Sequence, residues 1–262
     1  MSGLVFSKAE LDAAHALVLA HMQPTPQYAW PLLGREIGAE VIVKHENHAP
    51  TGAFKVRGGV TFIDWLRRAH PKVGGSITAT RGNHGQSQAR AARIAGLRVK
   101  VLVPHGNSVE KNDAMRAYGA ELIEFGQDFD EARHEAMRLA KSEDLFPIPA
   151  FDREILRGVA TYGLELFLEH PDLDVVYVPI GCGSGICGVI CARDALGLKT
   201  EVVGVVSSQA QGAKLSVAAG RLVETNSANT IADGMAVRVP VQAALDIYAR
   251  GAARIVDVSE DE

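Results

Sequence analysis

The residue with the clearest chemical potential is Lys55, which follows a short polar turn. The apolar residues 41–43 lead into a turn containing Thr51 and Gly52, after which Phe54 and Lys55 begin a predicted helix. A lysine beside an aromatic ring after such a turn can be partly desolvated. Desolvation lowers the pKa of an amine and makes it a nucleophile for carbonyl groups. The alternative is an ordinary surface lysine at a helix start, so the interpretation depends on the rest of the chain.

A second stretch of interest is TRGNHG, residues 80–85, which lies between a predicted strand at 76–79 and a helix from about Gln86. Backbone N–H groups at a helix start can hold a carboxylate, and the side-chain amide of Asn83 can bond a ring hydroxyl. The alternative for Asn83 is an ordinary helix N-cap, and for His84 a structural role.

The third stretch is GCGSGICG, residues 181–188, which also joins a predicted strand to a predicted helix. Glycines allow close backbone approach, and the helix N-terminus offers free N–H groups, so the run is typical of a phosphate cradle. Its GxGxxG spacing also fits a dinucleotide site, but the next strand ends Val205-Val206-Ser207 without the carboxylate that binds ribose. The pattern therefore favours a site for a single phosphate over a dinucleotide site. It also favours a phosphate site over a tight turn whose glycines serve only packing.

The elements that position these stretches are strands alternating with helices. Strands are predicted at 40–44, 76–79, 98–103, 121–125, 174–179, 201–206 and 254–258. This alternation predicts an α/β fold of parallel βαβ units, in which ligands bind beyond the carboxyl ends of the strands. We expect two lobes: a large domain formed by residues 1–51 and 149–262, and a small domain formed by residues 52–148.

Composition limits the class of protein. The 262 residues are 47% hydrophobic and carry a formal net charge of −4, which argues against nucleic acid as the main partner. No apolar stretch is long enough for a membrane span, and the N-terminus lacks a signal-peptide pattern. The three cysteines, Cys182, Cys187 and Cys191, cluster in one stretch and suit a reducing cytoplasm. Cys187 and Cys191 are predicted to be small buried apolar residues.

Pyridoxal 5′-phosphate requires a reactive lysine, a polar group for its ring and a site for one phosphate. The chain offers these in order, as Lys55, the asparagine loop of residues 80–85 and the phosphate cradle of residues 181–188. The chain resembles the fold type II pyridoxal-phosphate enzymes, especially the serine/threonine dehydratases. The resemblance covers essentially the whole chain and is carried by KHENHAPTGAFKVRGG, GNHGQS, VPHGNSVEKNDAMRAYGAEL, GCGSGICG and TIADGMAV. It implies two open parallel-sheet lobes of the tryptophan synthase β-like type.

The resemblance also implies roles for individual residues. Lys55 would form the Schiff base with the cofactor, Phe54 would pack beside its ring, and Gly234 would lie near the ring. The remaining cofactor contacts would be Asn83 at the ring hydroxyl and Gly181, Cys182, Gly183, Ser184 and Gly185 at the phosphate. The substrate carboxylate would be held by Thr80, Gly82, Asn83 and His84.

The implied activity is β-elimination from L-threonine, L-serine or a related 3-hydroxy amino acid, giving a 2-oxo acid and ammonia. Other activities of the same cofactor remain open: β-replacement, racemisation, and elimination from a hydroxyaspartate or diamino acid. A non-catalytic cofactor- or amino-acid-binding module is a further alternative. A nicotinamide dehydrogenase is disfavoured, because it leaves Lys55 unexplained. A homodimer follows from the resemblance alone.

The sequence departs from the family pattern at three places. Arg81 stands where relatives carry a small residue; it either recognises a second carboxylate of the substrate or forms a salt bridge to the scaffold. The glutamate that binds a divalent cation in some relatives is missing near Ser207, so no metal site is expected. The chain stops shortly after a strand, where relatives continue to a residue that faces the pyridine nitrogen, so the large lobe is expected to lack part of its sheet.

Overall fold

The structure, a computed structural model, describes residues 5–261, which form ten α-helices and nine β-strands. The helices are α1 (Lys8–Leu19), α2 (Pro31–Ile37), α3 (Lys55–Ala69), α4 (Asn83–Ile94), α5 (Val109–Ala117), α6 (Phe129–Ser142), α7 (Arg153–Glu169), α8 (Ser184–Leu196), α9 (Gly212–Ala219) and α10 (Gln242–Gly251). The strands are β1 (Gln27–Ala29), β2 (Ile42–Lys44), β3 (Gly75–Ala79), β4 (Arg98–Val103), β5 (Glu121–Glu124), β6 (Phe146–Pro147), β7 (Val175–Pro179), β8 (Glu201–Ser207) and β9 (Arg254–Val258). Short 3₁₀ turns occur at Glu46–His48 and Asp233–Met235.

The chain divides into two compact units, Met1–His15 with Phe151–Glu262 and Ala16–Ala150. The predicted domain division, residues 1–51 and 149–262 against 52–148, stays a prediction. Within the described residues, no helix is both long and apolar enough to cross a bilayer.

The unit Ala16–Ala150 contains a four-stranded parallel sheet in the order β5-β4-β3-β6. All five residues of β3 are buried, as expected for a central parallel strand covered on both faces. Its Ile77 packs with Leu102 of β4 and with the alanine face of α6. The predicted parallel βαβ arrangement is confirmed here. A separate antiparallel pair, β1 and β2, precedes the turn that leads to Lys55.

The unit Met1–His15 with Phe151–Glu262 contains a three-stranded parallel sheet in the order β7-β8-β9. Helices α7 and α8 approach closely because small residues face each other: a Cβ built on Gly163 would lie 3.0 Å from the Cα of Val189. The strand predicted at 174–179 is present as β7, but it is not buried as its apolar run suggests, since only Val178 of its five residues is buried. Successive side chains of a strand point to opposite faces of the sheet, and on the face opposite Val178, Tyr177 is 61% exposed.

Candidate functional site

Lys55 opens α3 and is half-buried. The preceding turn is made by Gly52, whose φ of +66° favours glycine. The Nζ of Lys55 lies 4.9 Å from the centroid of the Phe54 ring, close enough for a cation–π contact. Its carbonyl oxygen accepts a 2.5 Å hydrogen bond from the hydroxyl of Ser87 on α4. The lysine that could react with a carbonyl is therefore held at a helix start that is bonded to the neighbouring helix.

The helix that carries Lys55 is anchored by a buried ion pair that the sequence analysis missed. The guanidinium of Arg57 is fully buried and donates from Nε and Nη2 to the two oxygens of Glu46, each at 2.9 Å. The hydroxyl of Thr25 donates to the same carboxylate at 2.5 Å. A forked pair of this kind fixes the first turn of α3 to the 3₁₀ turn before it. No spacing signal identifies Arg57, because a single arginine in a helix normally lies at the surface.

The helix that follows the asparagine loop, residues 80–85, begins about one turn earlier than predicted. Helix α4 starts at Asn83 rather than near Gln86, so Asn83 and His84 belong to its first turn. Gly82 precedes the helix, and its N–H donates to the hydroxyl of the buried Thr80 at 3.0 Å. The alternative considered for Asn83, an ordinary N-cap, does not apply, because the N-cap position is taken by Gly82, which has no side chain to cap the helix.

His84 is held in its neutral form. Its Nε2 is buried and has no hydrogen-bond partner among residues 5–261. Burial, and to a smaller extent the positive charge of Lys55, lower the pKa of His84 from 6.5 to about 3. A neutral imidazole with an unsatisfied buried nitrogen is a group that a bound ligand would complete.

Arg81, between Thr80 and Gly82, points its charge toward solvent. The residue is exposed and makes no ion pair with any residue of 5–261. The scaffold salt bridge considered for Arg81 thus has no counterpart in the described chain. Beside it, the aliphatic stem of Lys111 packs over the loop: a Cβ built on Gly82 would lie 2.7 Å from the Cδ of Lys111.

The glycine-rich loop belongs to the other compact unit and joins β7 to α8. Gly183 has a φ of +94° and immediately precedes the helix. A Cβ built on Gly181 would lie 2.1 Å from the carbonyl oxygen of Gly234, and one on Gly183 would lie 2.8 Å from the Cβ of Ala244. Both positions therefore require glycine, because neighbouring groups fill the space that a side chain would take.

The helix behind the loop supports it through buried contacts. The hydroxyl of Tyr162 on α7 donates to the carbonyl oxygen of Gly185 at 2.8 Å, and Ser184 is buried. Cys187 and Cys191 are buried on α8, as predicted, and burial raises the pKa of both thiols. Cys182, within the loop, is only partly buried.

The helix N-termini in the chain fall into two groups. Helices α5, α6 and α7 are capped by the side chains of Ser108, Asp128 and Asp152. Helices α3, α4 and α8, which begin at the three stretches singled out above, have no side-chain cap and no acidic residue in the first turn, and the same is true of α2, α9 and α10. Their first-turn N–H groups and positive dipole ends are suited to anions.

Each of the two units, taken by itself, carries groups that pyridoxal 5′-phosphate requires. The cofactor needs an amine for its carbonyl carbon, a polar group for its ring hydroxyl and N–H donors for its phosphate. The chain supplies Lys55, Asn83 and the uncapped start of α8 with its required glycines. Among residues 5–261, no cluster of three histidine, cysteine or acidic side chains could hold a metal ion, and the expected absence of a metal stays a prediction.

Comparison with known proteins gives a family match across most of the chain. The model of the family described as pyridoxal-phosphate dependent enzymes matches residues 18–262. The chain is 33% identical to the L-threonine ammonia-lyase of Thermotoga maritima over 88% of its own length and 58% of that protein. It is 30% identical to the catabolic L-threonine dehydratase of Staphylococcus aureus strain N315, over 98% of its own length and 75% of that protein.

The chain spans about half the length of several curated relatives that it matches, including 42% of the biosynthetic L-threonine dehydratase of Pasteurella multocida.

Solved structures of pyridoxal-phosphate enzymes resemble this chain over nearly its whole length. The chain superposes on a pyridoxal 5′-phosphate-dependent aspartate racemase with a TM-score of 0.94 and 26% identity, covering 100% of this chain and 82% of the other. For the processed form of threonine deaminase isoform 2 from Solanum lycopersicum the TM-score is 0.88 at 28% identity, covering 98% and 76%. The predicted tryptophan synthase β-like fold is confirmed.

Proposed function

Because the chain belongs to the pyridoxal-phosphate dependent enzymes, and among them to the serine/threonine dehydratases, we propose that it catalyses the deamination of a 3-hydroxy amino acid. L-Threonine would give 2-oxobutyrate and ammonia, and L-serine would give pyruvate and ammonia. The observation that carries the proposal is that Lys55 and the two loops lie at helix starts without side-chain caps, and that the second loop has no space for side chains at Gly181 and Gly183.

Lys55 and the loop residues would have separate roles in binding the cofactor and in the reaction. Lys55 would attach the cofactor and serve as the base that takes the proton from the substrate Cα. Asn83 would donate its amide to the ring hydroxyl, and Phe54 and Gly234 would lie beside the ring. The phosphate would be held by the loop residues Gly181, Cys182, Gly183, Ser184 and Gly185. When bound, the cofactor supplies an electron sink for the electrons left on Cα.

The substrate carboxylate would be held by the asparagine loop. The first-turn N–H groups of Asn83 and His84 would donate to it, together with the hydroxyl of Thr80. The N–H of Gly82 already donates to Thr80 Oγ1, so Gly82 would contribute as the residue that precedes the first-turn N–H groups and not through a free N–H of its own. A neutral His84 suits this role, since it could donate to an anion without taking up a proton.

The proposal is tested by the absorption spectrum and by product formation. The purified protein, given pyridoxal phosphate, should show the absorption of lysine-bound cofactor and should release 2-oxo acid from serine or threonine. Lys55→Ala should abolish both, whereas Lys72→Ala, which changes an exposed lysine of the same unit, should leave both intact. Lysine-bound absorption without 2-oxo acid would instead favour β-replacement, racemisation or a non-catalytic binding module.

We also propose that Arg81 selects substrates with a second carboxylate, such as 3-hydroxyaspartate. Support comes from its exposure and from the lack of an ion pair with residues 5–261. A guanidinium can hold a carboxylate through two hydrogen bonds. Arg81→Ala should lower kcat/KM for 3-hydroxyaspartate more than for serine or threonine. An unchanged ratio between these substrates would exclude this role.

The assembly and location that we propose are a homodimer in the cytoplasm. The cysteines Cys182, Cys187 and Cys191 are all free of disulfides, which suits a reducing compartment. Light scattering would test the dimer, and fractionation of cells would test the compartment.

A further inference from the structure

The carboxylate of Glu260, just beyond β9, joins two separate parts of its unit. The hydroxyl of Ser207, at the end of β8, donates to Oε1. The hydroxyl of Thr230 and the N–H of Ile231 donate to Oε2 at 3.2 and 2.8 Å. Thr230 and Ile231 belong to residues 220–241, the connection between α9 and α10, which is mostly irregular. Glu260 therefore ties this connection to the sheet.

The charge state of Glu260 suits this role. The hydroxyl of Ser207, the N–H of Ile231 and the hydroxyl of Thr230, in that order of strength, lower the pKa of Glu260 below its usual value. Hydrogen bonds that stabilise the charged form have this effect, so the side chain is a carboxylate at neutral pH. Its bonds are charge-assisted and are stronger than those between neutral groups.

The connection that Glu260 holds, residues 220–241, also contacts the glycine-rich loop. The hydroxyl of Thr230 also accepts from the N–H of Ala232 at 3.2 Å, and the 3₁₀ turn Asp233–Met235 follows at once. The carbonyl oxygen of Gly234 in this turn occupies the place where a Cβ of Gly181 would be, 2.1 Å from it. The turn thus packs against the main chain of the loop, so a shift of the turn would change the space around Gly181.

We propose that Glu260 is a positioning residue: it holds the turn Asp233–Met235 against Gly181 and so keeps the 181–185 loop shaped for the cofactor phosphate. The proposal rests on the proposed function, because it concerns the same phosphate loop. Glu260 acts through the turn, and a carboxylate would itself repel a phosphate. The sequence alone offers no sign of this residue, since its partners Ser207 and Thr230 lie 53 and 30 positions away.

The test is cofactor affinity in the full-length protein. Glu260→Gln should weaken the binding of pyridoxal phosphate, measured by absorption titration, by about tenfold, the lower end of the loss seen when a residue that orients a metal ligand is removed. Thr230→Val removes one donor and should give a smaller loss. Asp257→Asn is the matched control: Asp257 lies on β9 but pairs with Lys214 of α9, so its loss should leave the affinity unchanged.

Hydrogen exchange gives a second readout that does not depend on the cofactor. In Glu260→Gln, backbone amides of residues 230–236 should exchange faster, whereas those of β7 should not change. Unaltered exchange and affinity in Glu260→Gln would overturn the positioning role. If that variant does not fold, Thr230→Val decides by the same two measurements. A wild-type protein that binds no pyridoxal phosphate would refute the proposed function, and this proposal with it.

Discussion

The buried pair of Arg57 and Glu46 should be the costliest single interaction to break in the unit Ala16–Ala150. The Arg57 side chain is fully buried and the Glu46 side chain is 13% exposed, so either partner left alone would be a poorly solvated charge. Breaking such a pair costs about 3–5 kcal/mol. Arg57→Met leaves Glu46 with the hydroxyl of Thr25 and with Lys44 Nζ at 4.0 Å. Glu46→Gln leaves the guanidinium without its counter-ion and should cost at least as much.

The assay is urea unfolding followed by tryptophan fluorescence. Both tryptophans of the chain, Trp30 and Trp65, lie in this unit, so their emission reports its unfolding. With a slope of about 1–3 kcal/mol/M, a loss of this size lowers the urea midpoint by about 1 M or more. Arg68→Met is the control, because its exposed pair with Asp64 on the same helix should contribute less than about 1 kcal/mol.

The double variant Arg57→Met with Glu46→Gln separates the charge pair from the packing. If the buried charges dominate, the double variant should lose less stability than the sum of the two single variants, because neither charge is then left unpaired. A midpoint for Arg57→Met no lower than that for Arg68→Met would refute the reasoning. Strictly additive losses would show that the two side chains contribute independently.

Three further outcomes follow from the site. Gly181→Ala places a Cβ 2.1 Å from a carbonyl oxygen and should cost about 1–3 kcal/mol and weaken cofactor binding, whereas Gly74→Ala enters open space and should do neither, by thermal unfolding and cofactor titration. The pKa of His84 falls from 6.5 to about 3 on folding, so as the pH is lowered the unfolded chain takes up a proton on His84 before the folded chain does. The cofactor-free protein should therefore lose stability as the pH falls from 6.5 towards 3, by at most about 1.4 kcal/mol per pH unit. In urea titrations, His84→Gln should flatten this dependence of stability on pH. Cys187 and Cys191 should resist a thiol reagent at pH 8 until urea unfolds the chain, and rapid labelling of all three thiols would contradict their burial.

The sequence was sufficient for the features that follow local rules. The βαβ alternation predicted the parallel strands, as the buried β3 shows, and loop positions followed from strand ends. It was insufficient where long-range contacts decide. No local signal identifies Arg57 as buried or Tyr177 as exposed, because both depend on which elements pack against them. The sequence predicts the start of α4 near Gln86, because TRGNHG resembles a loop, whereas the helix begins at Asn83, directly after Gly82.

The uncapped helices carry the last prediction, which concerns the phosphate. A missing side-chain cap costs a helix about 1 kcal/mol, and α8 lacks one, as do α2, α3, α4, α9 and α10. If the start of α8 binds an anion, the phosphate of a bound ligand should raise the free energy of unfolding. Pyridoxal phosphate at a hundred times its Kd should raise the free energy of unfolding by about 2.7 kcal/mol, and pyridoxal at the same concentration should give much less. Equal stabilisation by the two compounds would mean that the loop 181–185 does not bind the phosphate, and that its glycines serve only the close packing against Gly234.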